Sequence, residues 1–571
     1  MSADGSATAG APGAEEIADE AGYLDLLLSD AALGVLRRFM PGGYTARLGL
    51  ELARRPRTVA RRVSALAGSL GTIAAGRSQI APDRRDRRFA DPAWTQNPVL
   101  RRVVQAYLAG GEFATSLLAD ARLETPDAER ARFVVDNLVD ALAPSNNPLL
   151  SPVAWKAAID TGGLSAVRGL RAFAADIAEA PRVPSMVAAD AFEVGRDLAV
   201  TPGAVVRRTE ICELIQYWPA TPRVHRFPLV IVPPMINKYY ITDLAPGRSL
   251  VEFMVAQGYQ VFVISWRNPD ARHRTWGLDA YGQAIVSALS AARAICGAEK
   301  ASIMSLCSGG IVSSMVAAHL IGSGSDGGEL ASLFCGVTML DSGGGGGPAA
   351  LVSQQTLDRA VAISRSRGYL DGRSLAEVFA WLRPNDLIWN YWVNNYLQGK
   401  PPQPFDILYW NADTTRMTAG LHHDFIQLFS SGSLTKPGSA TMLGTPVDLA
   451  TVTTDAYVVA GIADHLCPWD ACYSSAQLLG GEVRFVLSTS GHIACMVNPP
   501  SNPKARMRAA PVSGSGTDWL AATPEVPGSW WTDYASWLAD RSGGKEDARS
   551  TLGGNGFTAS DPAPGRYVLD R

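Results

Sequence analysis

The stretch "ASIMSLCSGGIVSSMVAAHLIG", Ala301 to Gly322, reads as a short apolar strand, a tight turn of small residues and an apolar helix, with Cys307 at the turn. A nucleophile on such a turn needs small neighbours, because the backbone is strained there and the helix must pass close to the strand. The usual pattern is G-x-S-x-G; here Ser305-Leu306-Cys307-Ser308-Gly309 puts cysteine in the nucleophile's place and Ser305 in that of the first glycine. An arbitrary free cysteine is most often an inert buried side chain. One at a helix start differs, because unpaired N–H groups and the helix dipole favour its thiolate. A thiol nucleophile needs a base. Of His225, His273, His319, His422, His423, His465 and His492, only His492 lies in a small-residue loop, "STSGHIACM", directly after a late apolar run. Asp464, in "VVAGIADHLCPW", follows another. Singly, His492 reads as a loop histidine and Asp464 as a helix cap. With Cys307 they make the nucleophile, base and carboxylate of covalent acyl transfer.

The elements that must position these residues begin near Asp190. Short apolar runs, "FPLVIVPPM", "YQVFVISW", "KASIMSLC", "LFCGVTMLD", "DAYVVAGIAD" and "VRFVLSTSGH", alternate with helical stretches such as "SLVEFMVAQG" and "YGQAIVSALSAARAICG". That alternation predicts an α/β domain with a mostly parallel sheet covered by helices. In such sheets the chemistry sits at the carboxyl ends of the strands, where Cys307, Asp464 and His492 all fall. The chain order of nucleophile, acid and base is that of the α/β-hydrolase fold. Between Cys307 and Asp464 there is room for a cap, expected at about 342–444; one helix and one strand fit between Asp464 and His492. The oxyanion donors are expected at the backbone N–H of Ser308 and at Ile236 in the "PPMINK" loop. "DSGGGGGP", Asp341 to Pro348, lacks a phosphate-loop ending and reads as a hinge for the cap. Cys467 and Cys472 lack partners at metal spacing and read as core or loop thiols, so no metal site is expected. His465 adjoins Asp464 and either lines the site or serves the structure.

Ahead of this lies a different grammar. Residues 1–21 read as disordered and 22–190 as a mainly helical domain, with "NPVLRRVVQAYLAGGEFATSLLADA" repeating apolar residues at three and four; the catalytic domain then spans 191–571. The Arg-rich runs "ELARRPRTVARRV" and "PDRRDRRFAD" are read as solvated faces ahead of an anionic partner surface. With 571 residues, 47% apolar and 18% charged, the chain can bury a large core, and its net charge of −3 argues against a nucleic-acid binder. Seven scattered cysteines suit a reducing cytoplasm better than a disulfide scaffold. No signal peptide and no membrane-spanning run is read. The C-terminal "SWWTDYASWLADRSG" predicts an amphipathic helix whose Trp530, Trp531 and Trp537 serve core packing or an interface.

Several long motifs carry a resemblance. "LVIVPPMINKYYITDLAPGRSL", "VFVISWRNPD", "RPNDLIWNYWVNNYLQGKPPQPFDILYWNADTTR", "AGIADHLCPWDACY" and "SGHIACMVNPPSNPKAR" resemble polyhydroxyalkanoate synthases, from about Arg88 to "APGRYVLDR". "FADPAWTQNP", "WNYWVNNYL", "TGGLSAVRGL" and "LSTSGHI" look most like the single-subunit class II type, which polymerises medium-chain monomers. The resemblance implies an acyltransferase that polymerises (R)-3-hydroxyacyl-CoA into polyester and releases CoA. Cys307 then matches the acyl-bearing nucleophile, His492 its base and Asp464 the carboxylate, which in this family is also proposed to assist deprotonation of the attacking 3-hydroxyl. Ser305 departs from the family's usual glycine. No cofactor is implied, since the CoA thioester is the substrate. A cytoplasmic homodimer at the surface of polyester granules is implied, with no nucleic-acid partner. Two other functions fit the residues: a thioesterase or depolymerase on the same fold, or an inactive granule-associated paralogue.

Overall fold

The computed structural model describes residues 24–34, 39, 42–178, 180–324, 328–341, 354–464 and 466–571. The expected disordered segment 1–21, the glycines of the expected hinge and His465 lie outside the described residues. The chain forms two compact units, one including Phe192–Gly372 and Asp413–Arg571, the other Asp30–Ala191 and Arg373–Ala412.

The second unit is helical: α1 (Gly43–Ala53), α2 (Pro56–Ala74), α3 (Pro98–Ala121), α4 (Thr125–Ala141), α5 (Pro152–Asp160) and α6 (Leu164–Ala178). Local sequence sets the ends. Asn97 accepts the N–H groups of Val99 and Leu100, and Pro98 occupies the first helical position, where its missing N–H costs nothing. Arginines of the basic runs pair internally: Arg62 with Asp120 at 2.7 Å, and Arg88 with Asp86 and Asp140, both at 2.9 Å. The Arg62–Asp120 pair links α2 to α3, and the Arg88–Asp140 pair reaches α4.

The stretch expected as a cap, 342–444, does not fold as one piece, since Arg373–Ala412 packs within the helical unit. Its aromatic residues explain why. The ring of Phe173 on α6 lies 5.8 Å from Trp392 and 5.3 Å from Tyr396, both edge-on. At Gly169 a Cβ would fall 1.8 Å from the Tyr396 carbonyl oxygen, so the two segments meet only because that residue is glycine.

The sheet unit is built on ten strands: β1 (Gly203–Arg208), β2 (Cys212–Tyr217), β3 (Leu229–Val232), β4 (Val261–Trp266), β5 (Ala301–Leu306), β6 (Leu330–Gly336), β7 (Ala456–Gly461), β8 (Val483–Ser488), β9 (Arg506–Pro511) and β10 (Val526–Pro527). They lie in the order β1-β2-β4-β3-β5-β6-β7-β8-β9-β10. From β4 to β8 every pairing is parallel; β1, β2, β9 and β10 are antiparallel. The six parallel strands are the six apolar runs of the sequence. The outer strands are harder to read, because β1 ends in two arginines and β9, "RMRAAP", is only half-buried.

Four helices complete the frame needed below: α7 (Leu278–Cys296), α8 (Ser308–Gly322), α9 (Trp469–Ala476) and α10 (His492–Met496). The C-terminal helix α11 (Trp530–Ala539) serves core packing, with Trp530, Trp531 and Tyr534 buried. Tyr534 stacks edge-on against Phe334 of β6 at 4.7 Å and Tyr457 of β7 at 5.0 Å. Aromatic pairs of this kind contribute ~0.5–1.5 kcal/mol each beyond area burial. They brace β6, which neighbours the strand of Cys307, and β7 beyond it.

Candidate active site

Strand β5 is buried along its whole length and ends at Leu306, so the chain must turn sharply to enter α8. Cys307 takes the turn with φ 51° and ψ −122°, a conformation costing a non-glycine residue ~1–3 kcal/mol. Backbone and side-chain hydrogen bonds hold it there. Its N–H donates to the Gly336 carbonyl at 2.9 Å, and its own carbonyl accepts from the Gly310 N–H at 2.9 Å and Thr338 Oγ1 at 3.3 Å. The helix start runs so close to β3 that a Cβ at Gly309 would lie 2.5 Å from the Val232 carbonyl oxygen. Ser305, where the family usually has glycine, is accommodated: its hydroxyl donates to the Phe334 carbonyl on β6 at 2.6 Å.

Asp464 and His492 sit on the loops leaving the neighbouring parallel strands β7 and β8. The loops are tied together by the Ile462 N–H, which donates to the Ser488 carbonyl at 2.8 Å, and the Ala463 N–H, which donates to that of Ser490 at 3.2 Å. Such an approach needs a bare backbone at Gly461, where a Cβ would meet the Ser490 carbonyl oxygen at 2.4 Å. The result is a bond of 2.7 Å between His492 Nδ1 and Asp464 Oδ2, both residues being buried. Asp464 Oδ1 accepts the N–H groups of Leu466 and Cys467, each at 2.9 Å, so the carboxylate is fixed on both oxygens. With Nδ1 engaged, the other imidazole nitrogen is the one left for the side-chain hydrogen bond to Cys307.

A third group completes the set. The Cys467 sulfur lies within 4.8 Å of donor atoms of both Asp464 and His492. The Cys307 thiol is held well below its usual range, first by the hydrogen bond with Cys467, then by His492 and the Ser308 N–H, which together overcome burial. The Cys467 thiol is pushed well up by that same bond and by burial. Burial pulls His492 down, but the charge and hydrogen bond of Asp464, with the Cys307 contact, raise it to about 10. Cys307 is thus favoured toward its thiolate, and Cys467 and His492 toward their protonated forms. Cys307 is also the one cysteine of the seven that is not buried.

The structure thus brings Cys307, Asp464 and His492 together. For the expected oxyanion donors, the Ser308 N–H points at the nucleophile's sulfur. The "PPMINK" loop bearing buried Ile236 is fastened beside it, since the Met235 N–H donates to Ser308 Oγ at 3.2 Å and the Met235 carbonyl accepts from Thr415 Oγ1 at 3.3 Å. What the sequence reading missed is Cys467. The signal was its position, three residues beyond Asp464 on a strand-end loop, although cysteine spacing alone pointed to an inert thiol.

The family described as "Poly-beta-hydroxybutyrate polymerase (PhaC) N-terminus" matches residues 85–254, and the alpha/beta hydrolase fold family matches 243–499. The chain is 46% identical over 519 residues to "Poly(3-hydroxyalkanoate) polymerase 2" of Ectopseudomonas oleovorans, covering 91% of this chain and 92% of that one. It is 43% identical over 522 residues to polymerase 1 of the same organism, covering 91% and 93%. It is 39% identical over 509 residues to "Poly(3-hydroxyalkanoate) polymerase subunit PhaC" of Cupriavidus necator, covering 87% and 85%.

Proposed function

The chain belongs to the poly(3-hydroxyalkanoate) polymerase family, is an acyltransferase with the α/β-hydrolase fold, and from that premise we propose how its residues make polyester from (R)-3-hydroxyacyl-CoA. The Cys307 thiolate attacks the thioester carbonyl. Ser308 and Ile236 N–H groups hold the developing oxyanion. CoA leaves as its thiol, taking the proton from the imidazolium of His492, and one thioester has replaced another at little cost in bond energy. The now neutral His492 accepts the proton of an incoming 3-hydroxyl, which attacks the acyl-Cys307, forms the ester and regenerates the thiolate.

Asp464 acts by holding His492. Its carboxylate is buried and already accepts three hydrogen bonds, which favours an orienting role over direct removal of the hydroxyl proton. The observation that carries the mechanism is the 2.7 Å bond between His492 and Asp464 at the ends of β8 and β7, beside the strained turn of Cys307 at the end of β5. The further reading is a medium-chain monomer preference and a homodimer at granule surfaces in the cytoplasm, with the CoA thioester as substrate and no separate cofactor. It rests on the sequence resemblance; no helix among the described residues is long and apolar enough to cross a membrane.

The test is CoA release from 3-hydroxybutyryl-CoA and 3-hydroxydecanoyl-CoA by the purified full chain, with the insoluble product depolymerised for monomer analysis. Polymer with faster release from the longer substrate is expected. CoA with only free hydroxy acid identifies a thioesterase, and polymer formed at full yield by Cys307→Ala overturns the mechanism.

A further inference from the structure

Lysine is almost never fully buried unless its charge is met, yet Lys238 is only 2% exposed. It stands two residues beyond Ile236 in the loop that follows β3. Its Nζ donates to the backbone carbonyls of Asp570, at 2.5 Å, and Tyr567, at 3.4 Å. Among its charged neighbours Asp413 attracts it most, and that carboxylate accepts the Tyr240 hydroxyl at 3.0 Å. The segment 566–570 is in turn tied to the sheet unit. Glu213 of β2, itself buried, accepts the N–H groups of Arg566 and Tyr567 at 2.9 and 3.0 Å. The Tyr567 hydroxyl donates to the Thr209 carbonyl at 2.6 Å, and its ring lies 4.1 Å from the Arg267 guanidinium. The other end of the loop is anchored separately, by the Met235 N–H on Ser308 Oγ at 3.2 Å. Ile236 therefore sits between an anchor on the nucleophile's helix and an anchor on the segment 566–570.

We propose that Lys238 is a positioning residue for acyl transfer: by binding the Tyr567 and Asp570 carbonyls it holds the loop so that the Ile236 N–H faces the developing oxyanion. The segment 566–570 then governs a step in which none of its own atoms takes part. This deepens the polymerase reading, since it rests on Cys307 as nucleophile and Ile236 as the second oxyanion donor. The argument is one of tolerance. An oxyanion donor works only at about 2.7–3.1 Å from the oxygen, and a misplacement of about 1 Å can cost ~10²-fold in rate. Ser308 is set by the start of α8, whereas Ile236 lies in a turn outside any helix or strand and takes its position from the bonds at 235 and 238. A lysine that merely braced the fold would disturb every reaction of the site together. One that positions Ile236 affects only those that develop an oxyanion.

The experiment compares the full chain with Lys238→Met and, as a second variant should the methionine prevent folding, with the chain lacking residues 567–571. Three rates are read: CoA release from 3-hydroxydecanoyl-CoA, the nitrophenolate burst from p-nitrophenyl butyrate, and inactivation by iodoacetamide. The first two pass through a tetrahedral oxyanion; alkylation at the saturated carbon of iodoacetamide does not. Lys238→Met is expected to lower kcat for CoA release and the burst rate by about 10²-fold, with KM within about threefold of wild type. Inactivation is expected to keep its wild-type rate and pH profile. The shortened chain is expected to show the same split, and the two changes combined to cost little more than the larger alone, because both break one contact. Acyl-transfer rates within about threefold of wild type in both variants, or inactivation that falls as far as acyl transfer does, overturn the proposal. If the wild type yields nitrophenolate but no polymer, the polymerase reading fails, and the burst rates of the variants still decide the role of Lys238.

Discussion

Two loops of the sheet unit each present a cysteine to the same imidazole, and they give it opposite characters. The turn after β5 places Cys307 at the start of α8 with a strained backbone and near the Ser308 N–H and His492, so its thiol is held well below the usual range. The loop after β7 places Cys467 three residues from Asp464, buried, with its backbone N–H committed to that carboxylate and its thiol donating to Cys307, so the proton stays. Residue type is shared and surroundings are not. Reactivity here is a property of the backbone that delivers the sulfur and of the charges around it. A sequence motif containing cysteine therefore assigns nothing until its strand-end position is known.

Removing the reactive member tests the contrast most severely. Cys307→Ala is expected to lower CoA release by about 10⁴-fold or more, since no other thiol is ionised at the turn. Cys467→Ala, assayed beside it, stays active. Comparable losses in the two variants would erase the distinction.

Next comes the source of the ionisation. His492→Ala removes both the base and the positive partner, with an expected loss of about 10²–10⁴-fold. The pH dependence of iodoacetamide inactivation separates the two effects. In the wild type the lowered thiol means that thiolate persists as pH falls through the ordinary cysteine range near ~8.5, so inactivation stays fast at neutral pH. In His492→Ala inactivation slows as pH drops through that range. A flat profile in the variant would show that His492 does not set the ionisation of Cys307. Asp464→Asn, which holds the ring in the wrong tautomer, is expected to lose ~10²–10⁴-fold in polymer formation while retaining measurable single-turnover acylation, read as radiolabelled acyl-protein.

A smaller effect is expected from the second thiol. Cys467→Val deletes a hydrogen bond to a charged sulfur, which corresponds to ~1.5–3 kcal/mol. Turnover is expected to fall roughly tenfold, with the iodoacetamide profile displaced toward higher pH, because the lost bond is the largest influence holding the Cys307 thiol down. Cys467→Ser, which keeps a donor, is expected to restore the wild-type profile. An unshifted profile in Cys467→Val would make Cys467 a packing residue.

How much of this was legible in the sequence follows from the same contrast. The parallel strands β3 to β8 announce themselves as apolar runs because they are buried on both faces. The turn at Cys307 is local, spelled out by small residues on either side of it. His492 and Asp464 are found by strand-end position and chain order. The outer antiparallel strands were not found, since half-exposed edges such as "RMRAAP" carry no such pattern. Nor was the docking of Arg373–Ala412 among the N-terminal helices, because a contact such as Gly169 against Tyr396 joins positions far apart in the chain. Cys467 is the buried loop thiol expected; its approach to His492 could not be read from spacing within its own segment, because that imidazole lies on another strand's loop.

The smallest effect concerns Ser305, one residue before the apolar position that precedes the nucleophile. The family resemblance expects glycine there, yet the serine hydroxyl is fully buried and donates to the Phe334 carbonyl, tying β5 to β6 directly beneath the turn. Ser305→Gly removes that bond and loosens the unfolded chain, two losses that together cost ~1–2 kcal/mol. The side chain makes its bond to the neighbouring strand and does not reach the sulfur's partners, so the surroundings that ionise Cys307 are unchanged. Thermal unfolding is therefore expected a few degrees lower, with CoA release within about twofold of wild type and the iodoacetamide profile unmoved. A large change in rate without a change in stability would mean that the serine acts on the turn itself. In that case the strain at Cys307, and not only its charged neighbours, would set the difference between the two thiols.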